Sequence, residues 1–186
     1  LTQVDILPVK SNATRAAALL SGEVDFVLDP PPQDIARLKG SANIKILEAP
    51  EARFQYIAFD SNRNELLYSD VKGKNPLKDV RVRQAIAHAI DIAAIKEKVM
   101  RGLAVPAGSI VPPGVQGYSK DADKRPEFDK DKAKKLLAEA GYPNGFSFKT
   151  QTSSASLDND LLAMVAAYLA KVGVKMEIQV MEYSAY

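Results

Sequence analysis

Residues 75–91 constrain the fold of this 186-residue chain more than any other stretch, because they combine a helix start, a helix and a second helix cap. Pro76 interrupts whatever precedes it, and the Asp79 side chain can accept hydrogen bonds from the free amides that open a helix. Asp91 can do the same for a second helix, predicted over 92–101 and closed by the glycine that follows. The first helix has one apolar stripe at helical spacing, formed by Val82, Ile86, Ala89 and Ile90. The stretch therefore predicts a helix pair in an α/β protein.

The N-terminal part of the chain alternates short predicted strands with a helix. Residues 4–7 alternate as a strand does, 13–20 are Ala-rich and helical, and 24–28 form a second apolar run. A strand, a helix and a strand this close together favour a parallel pair with a right-handed connection. Segments 44–47 and 54–59 are also predicted as strands, with a proline between them.

The C-terminal part shows the same pattern after a long irregular stretch. Residues 103–126 hold four prolines and three glycines, so no regular element is predicted there. A helix capped by an aspartate is predicted over 130–140, and a strand follows at 146–150. A helix at 157–171 and an alternating strand at 174–180 complete a second strand–helix–strand unit. The predicted class is α/β.

Composition excludes several classes of protein. Apolar residues make up 46% and charged residues 26% of the chain, as in ordinary globular proteins of one domain or two small ones. The net charge of +2 comes from interspersed basic and acidic residues, so no nucleic-acid partner is predicted. The absence of cysteine excludes a disulfide framework, thiol catalysis and thiolate metal sites. No apolar run approaches the roughly 20 residues that span a bilayer.

Motifs that carry catalysis are also missing. The chain has neither a phosphate-binding Gly-x-x-x-x-Gly-Lys-Ser/Thr loop nor the Gly-x-Ser-x-Gly turn of serine hydrolases. His88 is the single histidine, and a structural or surface role is favoured over a ligand contact. The pairs Asp121 with Asp123 and Asp158 with Asp160 are better explained by capping than by acid–base chemistry. No enzymatic activity, cofactor or metal is predicted.

Three residues are candidates for contacting a ligand. Asp29 follows a predicted strand, where open α/β sheets place their ligands; a cap at the start of a loop is the competing interpretation. Phe54 and Tyr56 share one face of the strand predicted at 54–59, and Phe59 lies on the other face. One face is expected in the core, and the other lines a cleft if the strand crosses between two lobes. For Tyr56, core packing and ligand contact both remain open.

Several segments, taken in order, resemble a known family. The stretch at 75–91 is preceded by NATRAAALLSGEVDF at 12–26 and FQYIAFD at 54–60. It is followed by AKKLLAEAGYPNGF at 133–146 and by the closing GVKMEIQVMEY at 173–183. Each piece alone is common, but the ordered set resembles the extracellular solute-binding proteins of family 5, the dipeptide and oligopeptide receptors of ABC importers.

The resemblance implies a fold like that of type II periplasmic binding proteins, in which mixed sheets flanked by helices form two lobes. Residues 1–53 are then expected to be part of lobe 1, and 54–186 most of the second lobe, truncated before its end. The hinge is expected at 54–60. The chain is therefore expected to be a fragment that holds only part of a binding cleft.

The resemblance also implies a function. Family members capture a small peptide and deliver it to an ABC permease in the membrane, which implies a periplasmic or cell-envelope location in a bacterium. The family's acidic anchor for the peptide amine is expected beyond the last residue, so no such residue is assigned. Alternatives are a receptor of the same family for nickel chelates, opines or oligosaccharides, an α/β hydrolase or transferase, and an interaction module without a transport role.

Overall fold

The computed structural model describes most of the chain: residues 1–49, 52–153, 159–182 and 184. These residues fall into two units, Leu1–Glu51 and Ala52–Tyr186. Within the described ranges, no helix has the length and apolar character required to cross a lipid bilayer.

The first unit contains two short helices. Helix α1, Asn12–Ser21, begins where the Ser11 side chain accepts a hydrogen bond from the Thr14 amide. It ends at Gly22, which has a left-handed φ of 77° and donates to the last carbonyls of the helix. Helix α2, Ile35–Lys39, follows a 3₁₀ turn at Pro32–Asp34. The buried residues of this unit are few: Ala16, Ala18, Pro31 and Leu38.

The strands predicted at 4–7, 24–28, 44–47 and 54–59 are corrected by the structure, which assigns none of these segments to a strand. A strand needs a neighbour that completes its ladder of hydrogen bonds, and alternation of side chains does not supply one. In the first unit, the apolar side chains of these segments are largely exposed instead: Val4, Ile6, Leu7, Phe26, Leu28 and Leu47.

The predicted helix pair is present in the second unit. Helix α3, Val80–Ala89, is capped by Asp79, whose carboxylate accepts from the Arg81 amide at 2.8 Å. Helix α4, Ile92–Lys98, is capped by Asp91. The second helix ends earlier than predicted, at Lys98, because the Met100 and Gly102 amides donate to the carbonyl oxygens of Ile95 and Lys96 and so leave the helical pattern. The left-handed φ of 81° at Gly102 then closes the turn.

The second strand–helix–strand unit is confirmed. Helix α5, Lys130–Glu139, is capped by Asp129 and precedes strand β1, Phe146–Ser153. Helix α6, Asn159–Ala170, lies in the chain between β1 and strand β2, Val174–Met181. The two strands are parallel, with Phe146 opposite Val174 and Ser153 opposite Met181.

Two glycines allow the strands to begin side by side. Gly145 has a φ of 74°, and a Cβ atom placed on it would lie 1.9 Å from the carbonyl oxygen of Gly173. Gly173 itself has a φ of 89°. A side chain at position 145 would therefore meet both backbone strain and a steric clash.

The core lies between one face of this sheet and the helices. Phe146 and Phe148 of β1, with Val174 and Met176 of β2, pack with apolar residues of α3, α5 and α6. On the second edge of β1, Ser69 forms an isolated antiparallel bridge with Phe148, outside the two-stranded parallel sheet. The opposite face carries exposed polar side chains: Lys149, Gln151, Lys175 and Gln179.

Candidate ligand-binding site

The segment 54–60, here named the aromatic segment, presents two aromatic rings to solvent. Phe54 is 39% and Tyr56 71% exposed, and their ring centroids lie 5.5 Å apart at a tilt of 38°. Ile57 and Phe59 point the other way and pack against the core of the second unit. The predicted alternation of faces is therefore present. Tyr56 lies on the exposed face, so the interpretation that it packs in the core is wrong. The exposed face is the one that can contact a ligand.

Asp29 lies in the first unit and is exposed. Its φ of 50° is left-handed, a conformation that aspartate tolerates better than most residues. It follows the irregular segment 24–28 and precedes Pro30. The structure thus brings Phe54 and Tyr56 together within one unit and leaves Asp29 in the other unit. A role for Asp29 in ligand contact remains a prediction.

The carboxyl ends of β1 and β2 form a further candidate position that the sequence did not reveal. Parallel strands place their carboxyl ends at one edge of the sheet, where α/β proteins usually bind small molecules. Thr152 and Ser153 end β1 and are buried, while Glu182 follows β2 and is exposed. Hydroxyl groups can both donate and accept hydrogen bonds, so this edge suits a polar ligand. The sequence carries no clear signal for it, because the last apolar residue of β1 is Phe148, four positions before Thr152.

His88 has a structural position, in agreement with the favoured interpretation. Its side chain is buried, and Nδ1 lies 2.6 Å from the carbonyl oxygen of Glu127. The carbonyl oxygen of His88 accepts a hydrogen bond from the Asp129 amide at 2.8 Å. His88 therefore joins α3 to the start of α5.

The carboxylate pairs do not form an acid–base site. Asp123 accepts hydrogen bonds from the amides of Gly108 and Ser109, at 2.5 and 3.0 Å, and from the hydroxyl group of Tyr118 at 3.2 Å. These bonds, with the Gly108 amide first, lower the pKa of Asp123. Asp121 instead forms an exposed ion pair.

For the second pair, Asp158 lies outside the described residues. Within the part of the chain that the structure describes, no three residues of the types that bind metals come together as a metal site.

The chain is similar to several known proteins. Residues 1–186 match the family described as bacterial extracellular solute-binding proteins, family 5 middle. Heme-binding protein A of Haemophilus influenzae is 35% identical over 191 residues, covering 100% of this chain and 33% of that protein. The glutathione-binding protein GsiB of Escherichia coli is 33% identical over 176 residues, and the match covers 94% of this chain and 32% of GsiB.

A solved structure shows the same fold. The periplasmic binding protein DppA of Helicobacter pylori, in complex with the peptide STSA, superimposes with a TM-score of 0.75 at 30% identity. The match covers 96% of this chain and 32% of that protein. The chain thus spans about a third of the length of each of these three proteins.

Proposed function

Because the chain belongs to the bacterial extracellular solute-binding proteins of family 5, we propose that it is part of the substrate-binding component of an ABC-type importer. In this proposal, the whole protein captures dipeptides or oligopeptides outside the cytoplasmic membrane and delivers them to a membrane permease. Residues 1–53 contribute part of one lobe and 54–186 most of the other, with the aromatic segment as the hinge. The protein acts as a receptor and has no catalytic step.

The exposed pair of Phe54 and Tyr56 carries this proposal. Aromatic rings at the surface give a ligand a large apolar contact area, and the Tyr56 hydroxyl adds a polar group. Because the opposite side chains of the same segment pack in the core, the pair has a fixed base. Such rings suit the side chains and peptide planes of a short peptide, whose identity they do not restrict strongly.

Two further candidates are polar and are considered apart from the ring pair. In the first unit, the carboxylate of Asp29 can accept hydrogen bonds from a ligand, and charge-assisted hydrogen bonds are about twice as strong as neutral ones. Thr152 and Ser153 lie at the strand ends and can bond the polar groups of the peptide main chain. A hinge between two lobes would let the receptor close on its ligand and present one surface to the permease.

Calorimetric titration of the whole protein that contains this chain tests the proposal. The peptides Met-Leu and Ser-Thr-Ser-Ala are the probes, and Tyr56→Ala is the test variant. We expect the parent to bind at least one of these peptides and Tyr56→Ala to bind it about tenfold more weakly, because truncating a buried aromatic contact costs at least about 1 kcal/mol. Tyr68→Ala is the matched control, since Tyr68 is also exposed, at 57%, and lies outside the site. If the parent binds neither peptide, the peptide proposal is wrong.

A second candidate ligand is heme, because heme-binding protein A of H. influenzae is 35% identical over the full length of this chain. Heme is also flat and apolar, so the ring pair suits it in the same way. Absorbance titration with heme separates the candidates: a saturable shift of the heme spectrum with no heat from the peptides favours heme. Heat from the peptides with an unchanged heme spectrum favours the peptide receptor.

A further inference from the structure

Asn75 is a buried hydrogen-bonding centre between the aromatic segment and helix α3. Its side-chain amide nitrogen donates to the carbonyl oxygens of Asp60 and Arg63, at 2.7 and 3.0 Å. Its side-chain oxygen accepts from the Leu77 amide at 3.0 Å. The residue is only 8% exposed, so each of these bonds is largely shielded from water. One side chain thus fixes the end of the aromatic segment to the start of the next element.

Fifteen positions earlier, Asp60 begins the loop that Asn75 closes. The Asp60 carboxylate accepts from the amides of Asn62 and Arg63, both at 3.2 Å, which turns the chain away from the aromatic segment. Near the other end, the Leu66 amide donates to the carbonyl oxygen of Lys74 at 3.3 Å. The loop is therefore ordered by its own hydrogen bonds.

The same loop is attached to strand β1. The Ser147 amide donates to the Asp70 carboxylate at 2.7 Å, and the Ser69 hydroxyl donates to the carbonyl oxygen of Ser147 at 2.7 Å. The Lys149 amide donates to the carbonyl oxygen of Tyr68 at 2.9 Å. The bond from Ser147 is the main reason why the pKa of Asp70 is lowered. Both backbone groups of Ser147 are thus held by two adjacent side chains.

We propose that Ser69, Asp70 and Asn75, here named the clip, are positioning residues that hold the aromatic segment and strand β1 in one fixed arrangement. The clip thereby sets the affinity for the ligand that contacts Phe54 and Tyr56. The ligand in this inference comes from the proposed function. The link that the clip forms between the aromatic segment and β1 does not depend on that function.

The physical argument is that the ring pair belongs to no strand, so tertiary contacts must order it. Ile57 and Phe59 anchor its middle through apolar packing, which is non-directional. The Asn75–Asp60 bond anchors its end directionally, and the Ser69 and Asp70 bonds extend this anchor to Ser147, the second residue of β1. Ordering the ring pair before the ligand arrives lowers the entropic cost of binding.

Asn75→Asp separates the clip from an ordinary helix cap. Aspartate keeps a side-chain oxygen that can accept from the Leu77 amide, so the 3₁₀ turn at Pro76–Lys78 keeps its capping hydrogen bond. It has no amide nitrogen, so both donor bonds to Asp60 and Arg63 are lost. Asn64→Asp, in the same loop but exposed, introduces the same charge without touching the clip and is the matched control.

Two measurements on the whole protein test the inference. Hydrogen exchange, followed by mass spectrometry, reports the protection of residues 54–60 and 146–149 against that of α6. Calorimetry with Met-Leu or Ser-Thr-Ser-Ala, whichever the parent binds, reports affinity. For Asn75→Asp we expect faster exchange of the aromatic segment, with the exchange of α6 unchanged. We also expect about fivefold weaker peptide binding, which is at the lower end of typical couplings between two sites of one protein. Ser69→Ala should raise exchange at 146–149 in the same selective way.

The outcomes are distinct. If the exchange of residues 54–60 in Asn75→Asp equals that in Asn64→Asp, the clip does not hold the aromatic segment and the inference is wrong. If exchange rises equally in every element, Asn75 is a general stability residue and the inference is also wrong. If the parent binds neither peptide, the proposed function fails, while the exchange measurement still decides whether the clip exists. Should Asn75→Asp not fold, Ser69→Ala carries the same two measurements.

Discussion

The two units of the chain respond differently to similar sequence patterns. In the second unit, an alternating segment becomes β1, because β2 lies on one side of it and Ser69 on the other. In the first unit, alternating apolar residues such as Val4 and Ile6 belong to no strand and are 69% and 87% exposed. Alternation therefore specifies which side chains share a face, and pairing with a neighbour decides whether a strand forms.

The difference extends to the cores. The buried apolar residues of the second unit come from four helices and two strands and form one cluster, whereas the first unit buries chiefly small residues and Leu38. A unit of about fifty residues buries a smaller fraction of its surface than a larger one. The first unit should accordingly be the less cooperative part of the molecule. Matched substitutions in the two units test this difference.

Two fully buried leucines give the largest expected effect. Leu137→Ala in α5 should lower the free energy of unfolding by about 2–5 kcal/mol, because it leaves a cavity among well-packed neighbours. Leu38→Ala in α2 should cost less, at the lower end of about 2–5 kcal/mol, because fewer buried apolar groups surround it. Urea unfolding of the whole protein, followed by circular dichroism, measures both. Equal losses would remove the energetic distinction between the units.

Two left-handed glycines give the next effect. Gly22→Ala, with φ of 77° and open space around its Cβ position, should cost about 1–2 kcal/mol of backbone strain. Gly145→Ala adds the clash with Gly173 and should exceed that cost by about 1–3 kcal/mol. Thermal unfolding of both variants provides the comparison. A Gly145→Ala variant no less stable than Gly22→Ala argues against the close approach of the two strand starts.

The helix caps of the two units differ in their response to pH. Replacing Ser11 or Asp79 by alanine should cost about 0.5–2 kcal/mol in each case. The pKa of Asp79 is lowered, chiefly by the hydrogen bond from the Arg81 side chain, so its carboxylate favours the folded state. This contribution is complete above the ordinary aspartate pKa of about 3.9 and is lost as the pH falls through the lowered value.

Asp79→Asn keeps a capping oxygen without the charge, so its stability should change less on acidification than that of the parent. Urea unfolding at pH 7 and at decreasing acidic pH measures the difference, with Ser11→Ala as the uncharged control. An equally steep acid dependence in parent and Asp79→Asn would show that other carboxylates dominate.

Two exposed valines give the smallest effect. Val4→Thr and Val180→Thr should each change the free energy of unfolding by less than about 0.5 kcal/mol, because both side chains are mostly exposed, at 69% and 51%. Denaturant midpoints of the whole protein measure them. A clearly larger loss for Val4→Thr would show that residues outside this chain cover that segment, and the contrast between the units would then reflect absent neighbours.

Local signals made much of the second unit predictable. The caps at Asp79, Asp91 and Asp129 and the apolar periodicity of α3, α5 and α6 depend on residues close in sequence. The end of α4 at Lys98 has no clear sequence signal, because the residues from Val99 to Arg101 contain neither glycine nor proline.

Non-local contacts explain the remaining differences. Strand β1 continues to Ser153 instead of ending near 150, because pairing with β2 extends it through polar residues that lack a hydrophobic pattern. For this reason no local pattern singles out Thr152 and Ser153 as candidate ligand contacts. Alternation correctly predicted that Phe54 and Tyr56 share a face, but which face is buried depended on tertiary packing. The bond between Asp70 and Ser147 joins residues 77 positions apart, which no local pattern reveals.

The hydrogen bonds of Asp123 give the proline-rich stretch a cross-link in a chain without cysteine. One carboxylate holds the amides of Gly108 and Ser109 and the hydroxyl of Tyr118, and so closes a loop as a disulfide would. This cross-link does not depend on the redox potential of the surroundings, because no thiol or disulfide takes part in it. It depends on protons instead, because the lowered pKa of Asp123 keeps the link intact until the pH falls through that value. Such a loop needs no oxidising surroundings to form, and its hydrogen bonds weaken as acid protonates Asp123.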